Sequence, residues 1–104
     1  MADNIFKNIP QNLPEELFET LVKNDSVHIE RIVSYGQATA DEQWYDQEKN
    51  EWVLLLKGAA KIKFEKGEMI NLQPGDYLNI AAHKKHRVEW TQENTETIWL
   101  AIHY

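Results

Sequence analysis

The chain has 104 residues, with seventeen acidic and eleven basic side chains, a formal net charge of −6, four histidines, four tryptophans and no cysteine. Without thiols it can carry no disulfide framework, no cysteine-rich zinc site and no cysteine nucleophile, and its acidic balance lacks the basic footprint that nucleic-acid binding requires. A 42% hydrophobic share is enough to build a core, while the longest apolar run, Trp52 to Leu56, falls far short of the roughly twenty residues of a membrane span.

The length points to one domain over residues 1–104, divided into an N-terminal arm and helix (1–24) and a β-barrel (25–104). The opening MADNIFKNIP has no basic stretch followed by an apolar core, so it does not read as a secretory signal. A cytoplasmic location is the expectation, and the sequon Asn24-Asp25-Ser26 then carries no meaning.

In chain order, the first element reads as a helix over residues 12–23. Asn12 can cap its first turn, Pro14 suits an early helical position, and acids lead while Lys23 closes. Leu17 with Leu21 and Phe18 with Val22 form i,i+4 pairs on one apolar face. After Asn24-Asp25 the period changes to two. Strands are expected at Val27 to Tyr35, at Trp52 to Leu56 and over Ala60 to Glu65, which alternates strictly. Lys66-Gly67 then turns the chain into Glu68 to Leu72, and Pro74-Gly75 has the order of a type II turn. Tyr77 to Ile80, Arg87 to Trp90 and Thr97 to His103 complete the set. Many short strands with regular turn signals indicate a closed or two-sheet antiparallel architecture.

Gly-rich phosphate loops, nucleophile elbows and His-Glu-x-x-His helices are absent from the sequence. What remains is a set of His, Asp and Glu residues that strand geometry must bring together. Alternation sends Glu51, Val53 and Leu55 to one face, a polar mouth above an apolar floor. The same rule puts Val88 and Trp90 on the side of His86, and Trp99 and Ala101 on the side of His103. His28, on a charged strand, reads as solvent-exposed. Trp44, Tyr45, Tyr77, Trp90 and Trp99 can serve as pocket walls or as core. Lys84-Lys85-His86-Arg87 reads as a solvated turn, with attraction of an anionic ligand to the mouth as the alternative.

Two stretches carry a family resemblance. Glu51, six residues and then Gly58 resemble the second half of the first cupin motif, and Gly67 through Pro74-Gly75-Asp76 to His86 resembles the second. The resemblance implies an all-β fold, a cupin-type antiparallel jelly-roll β-barrel, here preceded by the short helix. It also places His86 at the family's metal-binding histidine. The first motif departs from the pattern, because its two histidines are missing. At four-residue spacing from the glutamate their positions hold Trp44 and Asp46, and at three-residue spacing Tyr45 and Gln47. Ala81 replaces the second motif's later proline.

A reduced site of Asp46, Glu51 and His86 would still offer two carboxylates and an imidazole to one divalent iron, manganese, zinc or nickel ion. Trp44, Tyr45, Gln47, Trp90 and His103 are the expected pocket residues around it, with His83 as an auxiliary. Without a metal, neighbouring carboxylates in a pocket become an acid/base pair. Two functions therefore stand side by side: a small-molecule site built around a divalent metal, and a metal-free, non-catalytic module for ligand binding, sensing or interaction. The partners expected are a small molecule and a second copy of the chain, without nucleic acid or membrane. The homodimer is implied by the resemblance, since small cupins pair through sheet faces. Trp52, Leu54 and Leu56 also give the strand a second apolar face that needs cover, from the helix of residues 14–23 or from a second subunit.

Overall fold

The computed structural model describes residues 1–11 and 13–104. Eight strands follow one another: β1 (Leu17–Lys23), β2 (His28–Ser34), β3 (Glu51–Lys57), β4 (Ala60–Phe64), β5 (Met69–Leu72), β6 (Tyr77–Ile80), β7 (His86–Thr91) and β8 (Thr97–His103). A five-stranded sheet in the order β1-β2-β8-β3-β6 faces a three-stranded sheet in the order β5-β4-β7, and the described pairings are all antiparallel. This is the jelly-roll barrel expected from the sequence. No helix of the described residues is long and apolar enough to cross a membrane.

The expected N-terminal helix is not there. Residues Leu17–Lys23 form edge strand β1, paired with β2 from Leu17↔Val33 to Lys23↔His28 with a bulge between Thr20 and Val22; the expected cap, Asn12, lies outside the described residues. Phe18, Thr20 and Val22 suit a strand as well as a helix, and the pairing decides between them. Glu19 stands opposite Arg31, whose Nε donates to Glu19 Oε1 at 2.7 Å. The rest of the Arg31 guanidinium donates to the carbonyls of Ile5, Lys7 and Asn8, which ties the N-terminal arm to the outer face of the large sheet. Paired on every side, Arg31 is only 6% exposed.

The core lies between the sheets. Cross-strand partners share a face, so the register carries Val53, Ala101, Trp99 and Ile32 inward from the large sheet, where they meet Ile62, Phe64 and Leu72 of the small one. Gly58 ends β3 at φ +89°, and a Cβ there would stand 2.9 Å from both the Glu96 carbonyl oxygen and Thr97 Cα. Only glycine satisfies both the backbone angle and that approach.

One bulge redirects a side chain that simple alternation misplaces. Lys61 pairs with Trp90 but Ile62 pairs with Val88, so Glu89 is an extra residue in β7. Val88 faces the interior, while Trp90 turns outward beside Lys61, whose Nζ lies 5.5 Å from the ring centre.

Candidate functional site

A cavity of about 70 Å³ remains between the sheets. At roughly 10–15 Å³ for one water centre, it has room for a few waters or one small organic molecule. Its apolar wall comes from Ile32, Val53, Ile62, Ile80, Val88 and Trp99, with Phe18 of β1 at the edge. Its polar side comes from Tyr45, Gln47, Glu51, His86 and His103, joined by Glu16 and Glu30.

The loop before β3 is held by one bridge. Tyr45 N–H donates to His86 O at 2.7 Å and His86 N–H to Tyr45 O at 3.1 Å, so Tyr45 runs as a short strand against β7. Alternation from this point sends Tyr45 and Gln47 into the cavity and Asp46 away from it. The three-residue spacing is therefore the one the fold uses, and a phenol and an amide stand where the family pattern has two histidines. Asp46 instead pairs with Nδ1 of His83 at 2.8 Å, with both side chains exposed. His83 occupies a turn at φ +62° and donates its own N–H to Gln47 O, which keeps its imidazole outside.

His86 is the best-held group of the site. Its ring stacks on Tyr45 at 5.6 Å between centroids and lies tilted against Phe64 at 6.3 Å. Nδ1 lies 3.0 Å from the Lys84 carbonyl, which can only accept, so this nitrogen carries a proton. Nε2 faces Glu51 Oε1 at 3.3 Å, both side chains being almost wholly buried. Burial pushes the imidazole pKa down, but the hydrogen bond to Glu51, the Lys84 carbonyl and the Glu51 charge outweigh it, and the result lies above the ordinary histidine value.

A second pair adjoins the first. His103 Nε2 lies 2.8 Å from Glu30 Oε1 and 4.0 Å from Glu51 Oε2, and His28 Nε2 is 3.9 Å from Glu30 Oε2 and 2.8 Å from the Thr20 hydroxyl. The cross-strand partners His28↔His103↔Glu51 produce this row. His28 is thus half-buried at the end of a His–Glu chain rather than fully exposed. Glu30 and Glu16 are site residues that sequence reasoning missed. Glu30 could have been found from the alternation His28-Glu30-Ile32, whereas Glu16 was hidden by the helix reading.

Two further ionisable groups respond to the enclosure. Burial raises the Glu16 pKa against the lowering effect of its 2.6 Å hydrogen bond from Ser34. Burial likewise raises the Tyr45 pKa, and the charges of Glu16, Glu51 and Glu30 add to it, so Tyr45 stays a neutral phenol. Two buried polar atoms on the lining have no partner among the described residues: the acceptor Gln47 Oε1 and the donor Trp99 Nε1. Of the other expected pocket residues, Trp90 lies outside and Trp44 sits in an outer depression, with Arg87 5.8 Å from its ring centre.

The family model for the cupin domain matches residues 31–103. The chain is a cupin. Among solved structures, a Ralstonia eutropha protein provisionally named a mannose-6-phosphate isomerase superposes with a TM-score of 0.95 at 39% identity, covering 99% of this chain and 96% of its own. A cupin superfamily protein from Desulfitobacterium hafniense superposes at 0.78 with 25% identity, covering 91% and 82%. Fe(II) HppE superposes at 0.75 with 14% identity, covering 93% of this cupin and 54% of its own chain, and shows likeness of fold alone. No curated protein matches the chain.

The divalent metal that the family implies can be tested against this donor set. Asp46 is turned away, the two first-motif positions offer only neutral oxygens and nitrogen, and the nitrogen of His103 nearest Glu51 is engaged by Glu30. Among the described residues no three His, Asp or Glu side chains form a metal-binding group. Glu51 and His86 together supply two strong donors where a protein site uses three or four. The residues do not fit a resident metal.

Proposed function

We propose that this cupin binds a small organic molecule inside its barrel, with the Glu51–His86 pair exchanging a proton with the bound molecule. The observation that carries this reading is the pair of buried polar atoms without a partner among the described residues, Gln47 Oε1 and Trp99 Nε1, in side chains that line an apolar cavity ending at a buried ion pair. Buried polar atoms are costly to leave unpaired, and a ligand with one donor and one acceptor would satisfy both. The pair can serve as acid or base because Glu51 and the Lys84 carbonyl hold the buried imidazole above its ordinary pKa, with its Nε2 facing the carboxylate. The name of the Ralstonia relative would suggest a phosphosugar, but the described lining offers no lysine or arginine to a phosphate. In a screen of small polar fragments by NMR of 15N-labelled protein, binders are expected to move the Trp99 indole N–H signal. Gln47→Leu is expected to weaken them about tenfold. Binders that leave Trp99 unmoved and ignore Gln47→Leu would overturn the reading.

A homodimer belongs to the same proposal. Val22, Ile29, Ile102 and Trp52 form one cross-strand row on the outer face of the large sheet, with Tyr77 5.4 Å from the Trp52 ring. The row is left half-exposed or exposed, and a second copy would cover it. Sedimentation equilibrium is expected to give twice the chain mass, reduced to the chain mass by Trp52→Glu. A monomer at every concentration would remove the dimer.

A further inference from the structure

We propose that the barrel cavity and the depression leading to it select a small organic cation, a primary amine whose short chain also carries a hydroxyl or carbonyl oxygen. The inference rests on the reading that the cavity is a ligand site, and it adds the charge and class of the ligand.

The first observation is electrostatic. Glu16, Glu30 and Glu51 line the cavity, and no lysine or arginine does among the described residues. The outer depression shares Glu16, Phe18 and Tyr45 with it and adds Glu15, while Arg87, 5.8 Å from the Trp44 ring centre at its rim, is matched by Asp41 and Glu89. The histidines do not cancel this charge. His86 is matched to Glu51 and His103 to Glu30, which leaves Glu16 with no basic partner among the described residues and only the Ser34 hydroxyl bonded to it. Tyr45 registers the same field, since the charges of all three glutamates oppose ionisation of its hydroxyl. An anion in the cavity would meet repulsion from these carboxylates, and a cation would be drawn in.

Hydrogen bonding and shape point independently to a ligand of this kind. Trp99 is 3% exposed and lines the cavity, and among the described residues its indole N–H has no acceptor and Gln47 Oε1 no donor. An ammonium group would donate to Gln47 and Glu16, and an oxygen on the same short chain would accept from Trp99. Tyr45, Trp99 and Phe18 line the space, and aromatic rings attract ammonium groups. The roughly 70 Å³ between the sheets has room for a few non-hydrogen atoms.

Three near-isosteric probes of different charge test this: ethanolamine, ethylene glycol and glycolate. They are titrated into 15N-labelled protein, with the Trp99 indole signal identified by its loss in Trp99→Phe. Ethanolamine is expected to shift that signal with a Kd at least about tenfold below that of ethylene glycol, and glycolate is expected to leave it unmoved. Glu16→Gln keeps an acceptor for Ser34 but removes the charge; it is expected to weaken ethanolamine about tenfold and to leave ethylene glycol unchanged. Glycolate binding as tightly as ethanolamine, or ethanolamine binding equally well to Glu16→Gln, would overturn the cation inference while leaving a ligand site in place. Silence from all three probes would overturn it as well, and the wider fragment screen then decides whether the cavity binds any small molecule.

Discussion

Trp99→Ala is expected to destabilise the fold by about 3–5 kcal/mol, the usual cost of removing a buried tryptophan. Against a total stability of about 5–15 kcal/mol, that is enough to leave a large share of the protein unfolded at moderate urea. The reason is position: Trp99 is 3% exposed, stands between Ile32 and Leu55 in the register of the large sheet, and forms part of the cavity wall. Trp99→Phe separates packing from hydrogen bonding. It keeps most of the ring but removes an indole N–H that has no partner among the described residues, and a buried unpaired donor costs about 1–3 kcal/mol. This variant is expected to lose less than about 1 kcal/mol, or to gain slightly, while ligand binding weakens. Urea denaturation of the two variants checks both values. A Trp99→Phe loss as large as that of Trp99→Ala would mean that the indole N–H is satisfied and is not waiting for a ligand.

Glu51→Leu is the second large effect, and it is expected to depend on pH. Breaking a buried ion pair costs about 3–5 kcal/mol because the remaining partner is stranded, and here the remaining partner is the His86 imidazole, with its Nε2 facing the lost carboxylate. In the native protein the folded-state pKa of His86 is raised above its unfolded value near 6.5. The protonated pair therefore stabilises the fold fully below that unfolded value, and its contribution fades as the pH rises through the folded-state value. The stability gap between native protein and Glu51→Leu should be widest near pH 6 and narrower at pH 9. Denaturation curves at those two pH values, giving an equal gap at both, would show that Glu51 does not hold a proton on His86.

Much of the barrel was legible because its signals are local. The Glu51 to Gly58 strand, the turn at Pro74-Gly75 and the segment Tyr77–Ile80 each carry their own punctuation, and each stands where pattern and turn chemistry put it. The N-terminal strand was not legible, since Leu17, Phe18, Leu21 and Val22 satisfy a helical period and only the distant β2 makes them a strand. Trp90 was misplaced for a related reason: one extra residue in β7 reverses every side chain beyond it, and nothing in the local sequence marks the bulge.

The site followed the same division. His86 and Glu51 meet as their family positions imply, because each sits in a strand whose direction the pattern determines. Asp46 and the pair Tyr45 and Gln47 could not be told apart by spacing, since a single hydrogen-bonded bridge from Tyr45 to His86 determines which of them point inward. His103 and Glu30 depended on long-range register between β2 and β8. The site's character as a cluster of glutamates and histidines with neutral residues in the first-motif positions emerges only once that register is known.

In the proposed function this cupin's interior is organised for an organic ligand and not for a resident metal. Elemental analysis of native protein, purified without chelator and without a metal-affinity step, tests it most directly. The donor set of Glu51 and His86, with Asp46 turned to His83, predicts no transition metal at or near stoichiometry. It also predicts no change in metal content between the native protein and His86→Ala. Close to one iron, manganese, zinc or nickel ion per chain, lost in His86→Ala, would contradict it.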